Sequence, residues 1–107
     1  MMEKLNKASL KFVKCRVRAI KNGAVYNPTG DVVTMTFTLS NDVTSAVWHA
    51  ADWETLTGND GLPEYWARCL VGPGGTATLT PEIYVVSVKI VDNPEIPVEN
   101  SGLLKVY

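Results

Sequence analysis

The chain has 107 residues, 46% of them hydrophobic and 20% charged, with a net charge of −1. That length gives room for one domain of common size, and the balance suits a packed core better than a disordered chain. No apolar run reaches the roughly 18–20 residues that span a bilayer. Residues 1–7 hold no apolar stretch of signal-peptide length, so a secretory route is not expected.

The near-neutral total hides an uneven distribution. Residues 1–21 carry Lys4, Lys7, Lys11, Lys14, Arg16, Arg18 and Lys21 against Glu3, a net of +6. Residues 22–107 carry Arg68, Lys89 and Lys105 against ten acids, a net of −7. Such polarity suits an acidic partner, or contact between the basic end of one copy and the acidic surface of another. Lysines along an edge strand also discourage aggregation, which is the plainer reading. Residues 1–10 are taken as a basic arm and 11–107 as a single sandwich domain.

Strict alternation over Lys11 to Ile20 predicts a half-buried strand, with Val13, Cys15, Val17 and Ala19 inward and Lys14, Arg16 and Arg18 outward. Asn22-Gly23 and Asn27-Pro28 are turn signals, with a short extended piece near Val25 and Tyr26. Val33, Met35, Phe37 and Leu39 alternate with Thr34, Thr36, Thr38 and Ser40, a second strand. Ser40-Asn41-Asp42 reads as a turn. Thr44 to Thr55 is read as a strand with Ala46, Trp48 and Ala50 on one face, a helical turn over 45–51 being the alternative.

Thr57 to Pro63 is a loop by composition, and Glu64 to Val71 a strand with Ala67, Cys69 and Val71 on one face. Gly72-Pro73-Gly74-Gly75 predicts a hairpin turn, followed by a short strand over Thr76 to Thr80. The nearly continuous β-branched run Ile83 to Val91 fits a central strand covered on both faces. Asp92 to Pro97 is a turn and extended linker, and Leu103 to Tyr107 a closing strand. About seven short strands point to an all-β, immunoglobulin-like antiparallel sandwich, with a small closed barrel as the alternative.

Little in the sequence suggests chemistry. His49 is the only histidine, which removes a one-chain triad or a two-histidine zinc site. Cys15 and Cys69 form no Cys-x-x-Cys pair and are read as buried reduced thiols, with a bridge between facing sheets as the alternative. Asp52 and Glu54, and Asp60 and Glu64, are read as solvated acids, since they lack the spacing of a calcium loop. No catalytic residue, cofactor or metal site is expected. Trp48 and Trp66 are assigned to core packing. Trp53, between Asp52 and Glu54, is taken as an exposed contact residue, the alternative being a host-surface glycan contact together with Asp52, Glu54 and Asp60. Nucleic-acid binding is not expected, because the charged face of the first strand has no interleaved aromatics. The candidate interaction surface is Lys14, Arg16, Arg18, Asp52, Trp53 and Glu54.

Residues 65–75 (Tyr65-Trp66-Ala67-Arg68-Cys69-Leu70-Val71-Gly72-Pro73-Gly74-Gly75) resemble small virion proteins of tailed bacteriophages infecting actinobacteria. So do residues 84–98, followed by 102–106, and the earlier 30–33, 37–40, 47–48 and 51–53. The resemblance covers roughly 30–106. It implies a non-enzymatic β-sandwich part of the virion, made in the host cytoplasm, of the tail or tail fibre. Its implied partners are other virion proteins and copies of itself, with neither nucleic acid nor membrane. A capsid decoration protein would share the fold and composition.

Overall fold

The computed structural model describes residues 2–21, 24–39, 46–91 and 98–107, and the side chains of 2, 19–21, 24–26, 99 and 100 are left aside. The turns expected at 22–23, 40–42 and 92–97 lie outside the described residues. Among the described residues ten strands follow one another: β1 (Met2–Leu5), β2 (Lys11–Val17), β3 (Ala19–Lys21), β4 (Ala24–Tyr26), β5 (Val32–Thr38), β6 (His49–Ala50), β7 (Asp52–Thr57), β8 (Pro63–Val71), β9 (Ile83–Val91) and β10 (Val98–Val106). One 3₁₀ turn, Pro28–Gly30, follows Asn27, whose Oδ1 accepts from the Thr29 amide at 3.0 Å.

The strands form two packed sheets and a separate β3–β4 hairpin. The five-stranded sheet runs β1-β10-β9-β5-β6 and the three-stranded sheet β2-β8-β7. The result is a β-sandwich. Both sheets keep edges, so neither closes into a barrel. In immunoglobulin lettering the second sheet reads B-E-D, and β10, β9 and β5 read G-F-C, with β6 in the C′ place. The first strand pairs parallel with the last, Met2 to Leu5 opposite Leu103 to Val106, so the larger sheet is mixed. Residues 2–5, expected within an arm, are therefore an edge strand. Leu5 drives this placement: it is only 4% exposed.

Period-two patterning places the core. Val13, Cys15 and Val17 of β2, with Ala67, Cys69 and Val71 of β8, face Val33, Met35 and Phe37 of β5, Tyr84, Val86 and Val88 of β9, and Leu104 and Val106 of β10. Met35 and Leu104 are fully enclosed. Leu39, expected to continue the inward set of β5, lies past the strand end and is exposed. The single strand expected over Lys11–Ile20 breaks at Arg18, which separates β2 from β3.

The Gly72–Gly75 turn is not a hairpin. The Gly75 amide donates to Gly72 O, and the Thr76 amide to Leu70 O. The chain then touches β8 only at a parallel Val71–Ala77 bridge before crossing to β9 in the other sheet. A glycine is required at 72: φ is +135° there, and a Cβ would collide with the Ser9 carbonyl. Residues 76–80, expected as a strand, are otherwise irregular. Tyr84 anchors this crossing by donating its hydroxyl to Thr80 O at 2.9 Å, the tyrosine corner of such sandwiches.

Candidate interaction surface

Alternation gives each sheet one outward face, and the two faces differ sharply. On the three-stranded sheet, β2 sends out Lys14 and Arg16, β8 sends out Glu64, Trp66 and Arg68, and β7 sends out Asp52 and Glu54. Register brings Lys14 beside Arg68 and Arg68 beside Asp52. Lys14 Nζ meets Glu54 Oε1 at 2.8 Å, and Arg16 reaches Glu64 at 3.4 Å. Arg68 holds Asp52 at 2.7 and 3.2 Å and Glu54 at 3.1 Å, while its guanidinium carbon lies 4.3 Å from the centre of the Phe12 ring.

Lys14 and Arg68 together stabilise the ionised carboxylate. The hydrogen bond from Lys14 is the main reason Glu54 titrates below its ordinary range, and Asp52 chiefly raises the affinity of Arg68 for its proton. Trp66 sits half-buried between Arg16 and Glu54 in the neighbouring strands, and its Nε1 finds no acceptor among the described residues.

Four of the six residues chosen from sequence, Lys14, Arg16, Asp52 and Glu54, thus meet on one face, and their charges are spent on Arg68, Glu64 and each other. Arg18 is exposed beyond the end of β2. The segregation into a basic start and an acidic remainder does not survive on this face, because β2 lies two strands from β7 and the fold interleaves the two sets.

Trp53 corrects the sequence reading. Its neighbours Asp52 and Glu54 point outward, so alternation turns Trp53 inward, where it packs against the core. Its indole Nε1 donates to Asp31 O at 2.9 Å. Trp48 and Trp66 also depart from the core assignment: both are half-buried. Residues 46–48 are irregular, not the strand face expected for Ala46, Trp48 and Ala50. Trp48 instead lies against Lys89, whose Nζ is 4.4 Å from the ring centre. His49, half-buried, is tilted against Phe37 with ring centres 6.1 Å apart.

The outer face of the five-stranded sheet has another character. Register places Thr38, Val85 and Leu103 in one row and Ile83, Lys105 and Lys4 in the next. Thr36 and Ser87 follow, then Thr34, Lys89 and Val98, then Val32 and Val91. Val32, Ile83, Val98 and Leu103 are all exposed. Val47 is also exposed, on the irregular segment whose carbonyl accepts from Thr36 Oγ1 at 2.6 Å. Thr34 Oγ1 is enclosed there without a partner among the described residues. The charges standing in these described rows are lysines. The run 83–91, expected as a central strand covered on both faces, is the middle strand of this sheet, and on its outer side Ser87 is buried, Val85, Lys89 and Val91 are half-buried and only Ile83 is exposed. The exposed apolar positions of the flanking strands, Val32, Val98 and Leu103, were not foreseen.

Cys15 and Cys69 are buried free thiols. They lie on adjacent strands of one sheet, offset by two residues in register, and not across the sandwich. Burial pushes the Cys15 thiol upward and Cys69 up to about 11. The cysteine bridging the sheets of antibody domains has no counterpart, since Val86 occupies the place two residues after the corner tyrosine.

No family model, curated protein or solved structure matches the chain in comparisons with known proteins.

Proposed function

We propose that this protein is a non-enzymatic assembly module of a phage particle, in its tail or tail fibre, that binds through the outer face of its five-stranded sheet. The observation carrying this reading is the contrast between the two outer faces. One is laced with ion pairs that satisfy each other, with Leu56 exposed at its end. The other exposes Ile83 and Leu103 in adjoining rows at one end and Val98 and Val32 towards the other, with Thr36 and Ser87 buried between them. Exposed apolar residues that adjoin one another, as Ile83 and Leu103 do at one end of this sheet, mark interaction sites more often than solvated faces.

The occupant this face fits is another virion subunit with an apolar centre and an acidic rim. Lys4, Lys89 and Lys105 stand among the apolar positions, and a rim of carboxylates would set orientation and speed encounter. Two copies meeting by this same face would bring lysines into a shared interface, which disfavours simple self-pairing. The setting in a virion rests on the resemblance over residues 30–106. A glycan reading based on Trp53 loses its support, since that indole is committed to Asp31 and the core.

Particles assembled with Leu103→Asp protein provide the test. Leu103 is 42% exposed, so the substitution should leave thermal stability within about 0.5 kcal/mol of the parent. Incorporation into purified particles, measured by immunoblot and located by immunogold labelling, should fall at least tenfold, while Arg16→Ala protein is incorporated normally. Normal incorporation of the Leu103→Asp protein, or labelling absent from particles carrying the parent, would overturn the reading.

A further inference from the structure

The three-stranded sheet ends on β2, and among the described residues no backbone group pairs with its outer edge. Constant-type immunoglobulin sandwiches place their first strand beside that edge. Here β1 pairs instead with β10 in the facing sheet, leaving the seven residues Lys11–Val17 as an open ladder. A cleft of about 300 Å³ opens alongside, between β1, β2, β9 and β10. Val13, Cys15 and Val86 line it with Glu3, Ser101 and Leu103.

The cleft has a structural cause. Pairing of β10 with β9 slips between Asn100 and Gly102, leaving Ser101 unpaired, and Gly102 takes a φ of +144°. A bulge of this kind bends its strand and re-aims the side chains beside it. The sheets approach each other where β5 lies over β7 and β8, on the other side of the sandwich.

We propose that β2 and this cleft form an acceptor for an extended strand of a partner protein, apolar at alternate positions and acidic at its ends. An added strand would satisfy the open backbone groups of β2, and its period-two side chains would enter the cleft from one face. The ends are acidic because Lys7 before the strand, Lys11 at its start and Arg18 after it are exposed, while Lys14 and Arg16 already hold Glu54 and Glu64. Glu3 at the mouth is outnumbered by these cations. A second copy's β2 does not fit, since like charges would then stand opposite one another. The same cations that guard the edge against its own kind thus select an acidic strand. Leu103 borders both this cleft and the outer face of the five-stranded sheet, so the two sites adjoin, but the open edge of β2 stands without that face.

Isotope-labelled protein titrated at low salt with two capped peptides of alternating valine and threonine tests the proposal. One peptide carries glutamate at both ends and the other lysine, and amide exchange is followed residue by residue. The glutamate peptide should slow exchange along β2 at least tenfold and shift Val13, Cys15 and Val86. The lysine peptide should need at least a tenfold higher concentration. With Lys11→Glu and Arg18→Glu combined, both at exposed positions, that preference should reverse. Unchanged β2 exchange with millimolar glutamate peptide would overturn the proposal, as would protection appearing on β7 instead. Equal response to the two peptides would overturn the acidic assignment.

Discussion

Phe37 shows how one residue tests the register of the whole sandwich. It is 9% exposed, on the inward set with Val33 and Met35, and it also touches the His49 ring. Truncation to alanine removes a large apolar group from a site that cannot fully collapse, so Phe37→Ala should cost about 3–5 kcal/mol in urea unfolding. A loss near zero would mean that β5 presents its other face. At Glu54 the issue is charge. Its carboxyl is held below its ordinary 4.5, first by the Lys14 hydrogen bond, so ionisation favours the fold. The contribution is present above the unfolded value and is lost as pH falls through the folded one. The melting temperature should therefore drop on acidification below about 4.5, and Glu54→Gln should flatten that drop. Because the group is solvent-exposed, the change should be small and should shrink further in high salt.

At the scale of elements, Tyr84 holds the crossing between sheets. Tyr84→Phe keeps the ring and loses the bond to Thr80 O, an expected loss of about 1 kcal/mol by thermal or chemical unfolding. No loss would show that the corner bond is not formed in solution. Two long strands were legible in the sequence because one period governs them, Val13-Cys15-Val17 and Ala67-Cys69-Val71 facing inward as their spacing demands, and the continuous β-branched run 83–91 is the central strand its composition implies. What failed was what alternation does not encode. Gly72-Pro73-Gly74-Gly75 announces a turn but not its destination, and a crossing to the other sheet reads the same as a hairpin. Leu5 in a lysine-rich start gave no periodicity, because a four-residue strand is too short to show one. Trp53 was misplaced because its acidic neighbours were taken as signs of exposure, when alternation around them turns the indole inward.

Across the whole molecule, part of the uneven charge of the sequence is met internally, on the outer face of the three-stranded sheet. A basic strand and an acidic strand are laid on either side of β8, and Glu54 of the acidic strand joins them by pairing with both Lys14 and Arg68. The residues that looked most available for a partner are therefore those most engaged within the chain. The proposed contact therefore falls on the opposite face, whose exposed apolar positions lie on β5 and β10 and at the start of β9. Carbodiimide crosslinking of assembled particles tests this central claim most directly, because it joins lysines only to carboxylates in direct contact. Lys14 should be found linked to Glu54 within the chain, and Lys4 or Lys105 linked to a carboxylate of another virion protein. Intermolecular links confined to Lys14, with Lys4 and Lys105 unlinked, would contradict the assignment of the two faces.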